Sequence, residues 1–477
     1  MERWSSRSGF LVSVVGAAVG LADVWLFPVV VGRTGGGAYL LPYFVAAFVI
    51  AAPLVTLEFS VGRTFRGDVV SAFATVRPAF ESFGWVVAGV AVLVASYYLV
   101  LTGGVLASLA ASVAGVDHSL AWFTGSYWPL AAFALTTALA GGVLSLGVRR
   151  GVERLSRVAV PLAVLLLVAI GAYATGLDGF DAGLSFFLTP NVAVLTDPLV
   201  WSGAFGHALF SLVVGRGVML TYGSYLTEGT DLLGASLLVT VSDIGVGVLA
   251  GLIVFPVLFT TRLDPTVGPE LVFSTLPRAF ASLPMGGTVT VAFFGALFLV
   301  SITSAVALLE VGVAATTSAT GQSRPVATGT LVAVAFVVGL PSALGYSAAN
   351  LYAFGAPTLY LLDGTIGTFA PPLIAVVIAV VFAWLREPVS LEAVVSAPLF
   401  RPHVKFVVPG LLLVATGVGV AHGVDVPGWR LLSGTEFLAP ATQLVGTALL
   451  LSALYLVGRG IAAYRIRRRS ERRREGG

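Results

Sequence analysis

The sequence predicts an all-α polytopic membrane protein with 12 transmembrane helices, and three observations predict it. Of the 477 residues, 57% are hydrophobic and only 10% charged, where a soluble chain carries about 25% charged residues. Mean hydropathy is +0.98, which leaves too little polar surface for a water-facing globule or a solvated disordered chain. Apolar runs also recur at membrane-crossing length, and a spanning helix needs roughly 20 apolar residues.

The runs fall at 9–32, 38–60, 84–114, 126–147, 156–176, 199–226, 232–259, 287–317, 325–343, 350–385, 404–422 and 438–463. The first meets no small-residue cleavage pattern, so it reads as a retained span rather than a signal peptide. Spans 1–5 occupy 1–176 and spans 6–10 occupy 199–385. Because five is odd, the second block enters the membrane inverted, giving a 5+5 inverted repeat. Two additional helices follow in 404–463, then a basic tail at 464–477, all within one transporter-like domain.

Basic residues orient the spans. Arg3, Arg7, Arg63, Arg66, Arg77, Arg149, Arg150, Arg154, Arg157, Arg324, Arg386, Arg401, Lys405, Arg459 and the tail fall on one side. Asp117, Asp178, Asp181, Asp197, Asp264, Glu270, Asp425 and Glu436 fall on the other, and Arg33, Arg216, Arg262, Arg278 and Arg430 lie outside or within spans. The positive-inside bias makes both termini cytoplasmic in a cell membrane. The tail run Arg465–Arg474 suits anionic headgroups rather than nucleic acid. The connections Gly176–Pro198 and Thr260–Gly286 are then external and suited to a short lid.

The counts exclude much chemistry. There is no cysteine, so disulfides and thiolate metal sites are absent. The four histidines, His118, His207, His403 and His422, show no paired ligand spacing. No phosphate-binding GxxxxGK[ST] loop is present. With no nucleophile–base pair visible, an enzyme is not expected.

Two spans read poorly as continuous helices. Span 1 carries Gly16, Gly20 and then Asp23, and span 6 carries Gly215-Arg216-Gly217. Glycine costs roughly 1 kcal/mol against alanine in a helix, and unwound backbone at membrane depth is tolerated only where protein or a wet cavity satisfies it. Glycine-interrupted helices at matching places of two inverted halves point to a midplane site in a secondary transporter. Packing of small residues is the competing account of Gly16 and Gly20, but it leaves Arg216 unexplained.

Trp4–Gly9 (WSSRSG), Gly16–Pro28 (GAAVGLADVWLFP), Gly35–Pro42 (GGGAYLLP) and Pro53–Arg63 (PLVTLEFSVGR) resemble the neurotransmitter:sodium symporter family in its bacterial, leucine-transporter-like form. Arg150–Pro161 (RGVERLSRVAVP), the DPxVW ending at Trp201, Thr221–Tyr225 (TYGSY), Ile302–Ser304 (ITS) and Gly364–Gly367 (GTIG) continue it in order. The resemblance covers spans 1–10 and identifies the chain as a divergent prokaryotic member. It implies a sodium ion held by carbonyls of Gly16, Val19 and Val300 and hydroxyls of Thr303 and Ser304. It implies a substrate carboxylate on the amides of Leu21 and Ala22 and the Tyr98 hydroxyl, and an amine near the carbonyls of Ala18, Phe210 and Ser211. Val94, Phe210, Val213, Arg216 and Leu308 would surround the side chain. Gly20, where monoamine carriers of the family have aspartate, resembles the amino-acid carriers. The implied function is sodium-coupled symport of an amino acid or related small carboxylated solute by alternating access.

The departures matter equally. The second sodium site maps to Ala18, Asp23, Ser211 and Ser242, where the family usually has asparagine at the Asp23 and Ser242 positions; the acid or chloride position maps to Val246. Three roles compete for Asp23: supplying negative charge to a bound sodium so that no chloride is needed, carrying a coupled proton, or pairing with Arg216. Arg216 replaces an apolar residue, and unpaired at mid-membrane it would cost at least about 3 kcal/mol. Its partner is Asp23, Asp363 or the substrate. The outer-gate arginine is Leu26 and its partner Tyr360, and the inner-gate acid is Ser318. Glu58 is expected to accept bonds from unwound backbone, and His207 to bond within the vestibule. Two other readings stay open: a proton-coupled carrier using Asp23, and a transport-inactive sensor with Arg216 plugging the site.

Overall fold

The computed structural model describes residues 2–116, 124–227, 229–266, 271–353, 356–385, 400–421 and 440–475. Asp117, His118, Glu270, Arg386, His422, Asp425, Arg430 and Glu436, used above for orientation and exclusion, lie outside the described residues. Hydrophobic length decides most elements. Ten described helices are long and apolar enough to cross a membrane: Gly37–Phe65 (α3), Pro78–Ala114 (α5), Trp128–Ser145 (α6), Val148–Ala174 (α7), Leu232–Thr260 (α11), Gly286–Thr320 (α13), Arg324–Gly345 (α14), Thr358–Leu385 (α15), Phe400–Ala421 (α16) and, within Pro440–Glu475 (α17), Leu444–Ala463. Arg7–Ala18 (α1) and Ala22–Arg33 (α2) pass the same criterion as one span bent by 48°.

Polar residues mark where these helices begin. Ser6 caps α1 by accepting from the Gly9 amide, and Asp231 caps α11 through Gly234. Asp68 caps the short helix Val69–Val76 (α4) through Val70 and Ser71. Such caps satisfy donors that have no intrahelical partner.

Two further pieces, Pro198–Ser211 (α9) and Val218–Ser224 (α10), are separated by residues without helical structure. Asp197 caps α9 by accepting from Leu199. α13 runs against α5 and α7, α1 lies along α7 and α13, and α10 packs on α3. The broken segments therefore sit in the interior, surrounded by α3, α5, α11, α13 and α15. The connection 176–198 carries the helix Phe180–Leu188 (α8), which packs along α11. Its Phe187 is fully buried, stacked on Phe255 and edge-on to Phe27. Phe187 thus anchors α8, while 188–193 are exposed. A two-strand hairpin, Tyr352–Ala353 with Ala356–Pro357, precedes α15.

Candidate functional site

The site begins where α1 stops. Val19 turns extended (φ −62°, ψ 116°) and Gly20 follows before α2 resumes. Carbonyls that would have bonded within the helix point sideways, onto α13. The Ser304 hydroxyl lies 3.1 Å from the Val19 carbonyl, 3.1 Å from Val300 and 3.4 Å from Gly16. Thr303 Oγ1 donates to Val300 at 2.9 Å. A hydroxyl has one proton, so it satisfies one of three converging carbonyls. Three carbonyls and two hydroxyls with no full charge fit a monovalent cation, and the structure brings together all five residues expected there.

Gly20 is required by the crowding. A Cβ there would come 2.8 Å from the Tyr98 hydroxyl and 3.0 Å from Ser304 Oγ. The Leu21 amide donates to Tyr98 Oη at 3.1 Å, so the expected carboxylate-binding donors are neighbours.

Asp23 turns back on this break. Its Oδ2 accepts from the Gly20 amide (2.9 Å) and its Oδ1 lies 2.6 Å from Ser211 Oγ. The same hydroxyl lies 2.7 Å from Asp243 Oδ1, and Tyr43 donates to Asp243 Oδ2 at 2.9 Å. Asp23 and Asp243 are both fully buried. This corrects the expectation for Ser242, whose hydroxyl donates to Leu238 on its own helix (2.7 Å) and turns away from Ser211. One residue is 100° of helix rotation, and Asp243 takes the inward position. The same shift moves the position one turn on from Val246 to Gly247.

The second break runs from Leu212 to Gly217. Gly215 (φ 75°) and Gly217 (φ 71°) adopt left-handed backbone, and Val213 does so at φ 48° despite its branched side chain. Glu58 Oε1 accepts from the Gly215 amide at 2.8 Å, the role expected for it. Arg216 points inward and is 1% exposed. Its Nη1 donates to the Phe210 carbonyl (2.8 Å) and Nη2 to Gly367 (3.3 Å), with the guanidinium 4.3 Å from the centre of the Phe210 ring. Nε has no partner. No carboxylate oxygen among the described residues lies within 4.0 Å of its nitrogens, so the expected pairing with Asp23 does not form. Asp363 is engaged instead by the Tyr97 hydroxyl at 2.8 Å.

Two cavities meet at these residues. The inner one is small, about 20 Å³, and is lined by Ala18, Val94, Tyr98, Phe210, Ser211, Val213, Arg216 and Leu308 among others. The outer one, of about 70 Å³, is lined by Leu21, Tyr97, His207, Asp363 and again Tyr98, Phe210 and Arg216. Ala22 borders both. His207 Nδ1 lies 2.9 Å from the Tyr39 hydroxyl.

The chain matches the sodium:neurotransmitter symporter family over residues 1–129 and 124–385. It belongs to that family. It is 30% identical over 390 residues to the sodium-dependent transporter YhdH of Bacillus subtilis (strain 168), covering 79% of this chain and 86% of the relative. It is 28% identical over 455 residues to the sodium-dependent transporter MJ1319 of Methanocaldococcus jannaschii, covering 87% and 89%. The crystal structure of MhsT in complex with L-phenylalanine superposes with a TM-score of 0.80 at 31% identity, covering 88% of this chain and 99% of that one. A multi-pass membrane protein built for sodium-coupled symport follows from this membership.

Within this symporter, a second buried polar cluster ties the segment after α10 to α13 and α14. The side chain of Glu310, fully buried, takes Arg324 Nη2 at 2.5 Å and the Tyr225 hydroxyl at 2.6 Å. Trp4 Nε1 donates to the Tyr222 carbonyl at 3.0 Å, and Ser5 bonds Glu153, which pairs with Arg157 at 2.6 Å. Ser318 only meets Ser71, at 3.4 Å. An acid inside an apolar span, followed fourteen residues later by an arginine opening the next helix, was the available signal for the Glu310–Arg324 pair.

Proposed function

We propose that the chain is a twelve-span symporter carrying an amino acid across a cell membrane by alternating access, driven by sodium, with both termini cytoplasmic. Counting α9 and α10 as one broken span, and α1 with α2 as another, gives the twelve and places the breaks at the start of each five-span half. The observation that carries the reading is the convergence of the Gly16, Val19 and Val300 carbonyls on Ser304, beside Thr303. Sodium there stabilises the broken span against α13. The substrate's carboxylate meets the Leu21 and Ala22 amides and Tyr98, and its amine meets the carbonyls of Ala18, Phe210 and Ser211. Asp23 and Asp243, joined through Ser211, provide negative charge for a second sodium, with the Ala18 carbonyl, so that chloride is not needed.

The plugged, inactive alternative is not favoured, because Arg216 bonds the Phe210 and Gly367 carbonyls and leaves the Ser304 cluster and the Leu21–Tyr98 donors in place. Uptake into proteoliposomes tests the proposal. A sodium gradient drives accumulation of an amino acid, and a potassium gradient does not. Thr303→Val with Ser304→Ala raises the sodium needed for half-maximal uptake at least about tenfold, as loss of bonds to a charge predicts. Equal uptake in both gradients overturns it.

A further inference from the structure

Arg216 is a buried guanidinium whose requirements the protein does not meet. It has five N–H donors and bonds two carbonyls, Phe210 and Gly367, while Nε has no partner. No described carboxylate lies within 4.0 Å; Asp363 and Glu58 attract the guanidinium only from farther off, and Asp363 is turned to Tyr97. The Phe210 ring lies 4.3 Å from the guanidinium carbon and supports its plane. Two carbonyl bonds and one aromatic face hold the group still, as a preorganised binding group requires. It borders the inner cavity, where Val94, Val213 and Leu308 offer no polar atom to a substrate side chain. In such surroundings a neutral apolar side chain would leave the remaining donors unbonded, whereas a carboxylate matches the fork.

We infer that the transported amino acid carries a second carboxylate, as aspartate and glutamate do, and that Arg216 receives it. This rests on the amino-acid reading above. The α-carboxylate occupies the Leu21–Tyr98 end, and the side-chain carboxylate reaches Arg216 across the same cavity. Arg216 is then a specificity residue in contact with substrate, facing both the inner cavity and the vestibule through which the substrate arrives.

The test uses the purified full chain with sodium and near-isosteric pairs: L-aspartate against L-asparagine, L-glutamate against L-glutamine, with L-leucine and L-phenylalanine. Thermal stabilisation and proteoliposome uptake favour the acid of one pair by about 10- to 100-fold. Arg216→Leu abolishes that preference, and Arg216→Lys retains it at lower affinity. Should Arg216→Leu fail to fold, the wild-type pairs and Arg216→Lys decide. Preference for an amide or for leucine or phenylalanine overturns the inference while leaving sodium-coupled amino-acid symport standing. Stabilisation by chloride that is lost in Arg216→Leu, without discrimination within the pairs, assigns the guanidinium to an inorganic anion and also overturns it. Absence of sodium-driven uptake for every amino acid overturns both readings together.

Discussion

An Asp243→Asn substitution replaces one of two buried carboxyls that meet at a single serine hydroxyl. Asp23 Oδ1 and Asp243 Oδ1 lie 2.6 and 2.7 Å from Ser211 Oγ, so the two oxygens are no farther apart than those bonds laid end to end. The hydroxyl donates to one carboxylate, and the other faces its lone pairs. At ~5 Å and an effective dielectric of ~20, two full charges repel by about 3 kcal/mol. A cation between them removes that repulsion, and this is the driving force for binding it. Asparagine removes the repulsion beforehand, so the ion-free protein becomes more heat-stable and its sodium affinity falls about 100-fold. Ser242→Ala, by contrast, deletes a hydroxyl that only bonds Leu238, and changes sodium affinity by less than about twofold. Sodium titration of thermal stability reads both, because an ion that binds the folded state raises its melting point by mass action. An unchanged sodium midpoint in Asp243→Asn, or a large shift in Ser242→Ala, refutes the two-carboxylate site.

Two further outcomes follow from the packing. Gly20→Ala places a methyl 2.8 Å from the Tyr98 hydroxyl and lowers uptake at least about tenfold, as a misplaced binding group predicts; Gly245→Ala, with nothing within 4 Å, leaves uptake unchanged. Arg324→Gln strands the buried Glu310, and breaking a buried pair costs about 3–5 kcal/mol, here charged to the inward-closed arrangement. Because the chain has no cysteine, a single Ser13→Cys reporter serves: its labelling from the cytoplasmic side accelerates when Arg324→Gln is added, and an unchanged rate with normal folding removes Glu310–Arg324 as a closure.

Much of this was legible in the residues. Membrane spans declare themselves by length and hydropathy, and the breaks declared themselves as Gly16, Gly20, Gly215 and Gly217. The structure breaks α1 at Val19–Gly20 and unwinds 212–217. The phase of α11 was not legible. That helix is apolar on every side, so no polar stripe indicates which of Ser242 and Asp243 faces inward, and neighbouring residues differ by 100°. The partners of Arg216 were hidden for another reason. A charge in an apolar span suggests a countercharge elsewhere in the chain, yet its two bonds go to backbone carbonyls of Phe210 and Gly367, and carbonyl positions carry no sequence signature.

The unwound segment joins the proposed ion site to the proposed substrate site. Ser211, at its start, touches Asp23 and Asp243; Arg216, near its end, faces the cavity; Glu58 holds Gly215 between them. Occupancy at either end therefore acts on the same few residues, already held in left-handed backbone at Val213, Gly215 and Gly217. α10 leads directly from this segment to the polar cluster where the Tyr222 carbonyl accepts from Trp4 and the Tyr225 hydroxyl donates to Glu310. In the proposed alternating-access cycle, inward opening breaks those two bonds together. Moving a two-state equilibrium from 1:99 to 99:1 takes about 5.5 kcal/mol of differential binding, more than one neutral hydrogen bond supplies. Filling the Ser211 carboxylate pair and answering the charge on Arg216 are two ionic events on one short segment, and together they reach that scale. Neither alone does so, which is the physical requirement for a symporter to move only when ion and solute are both present.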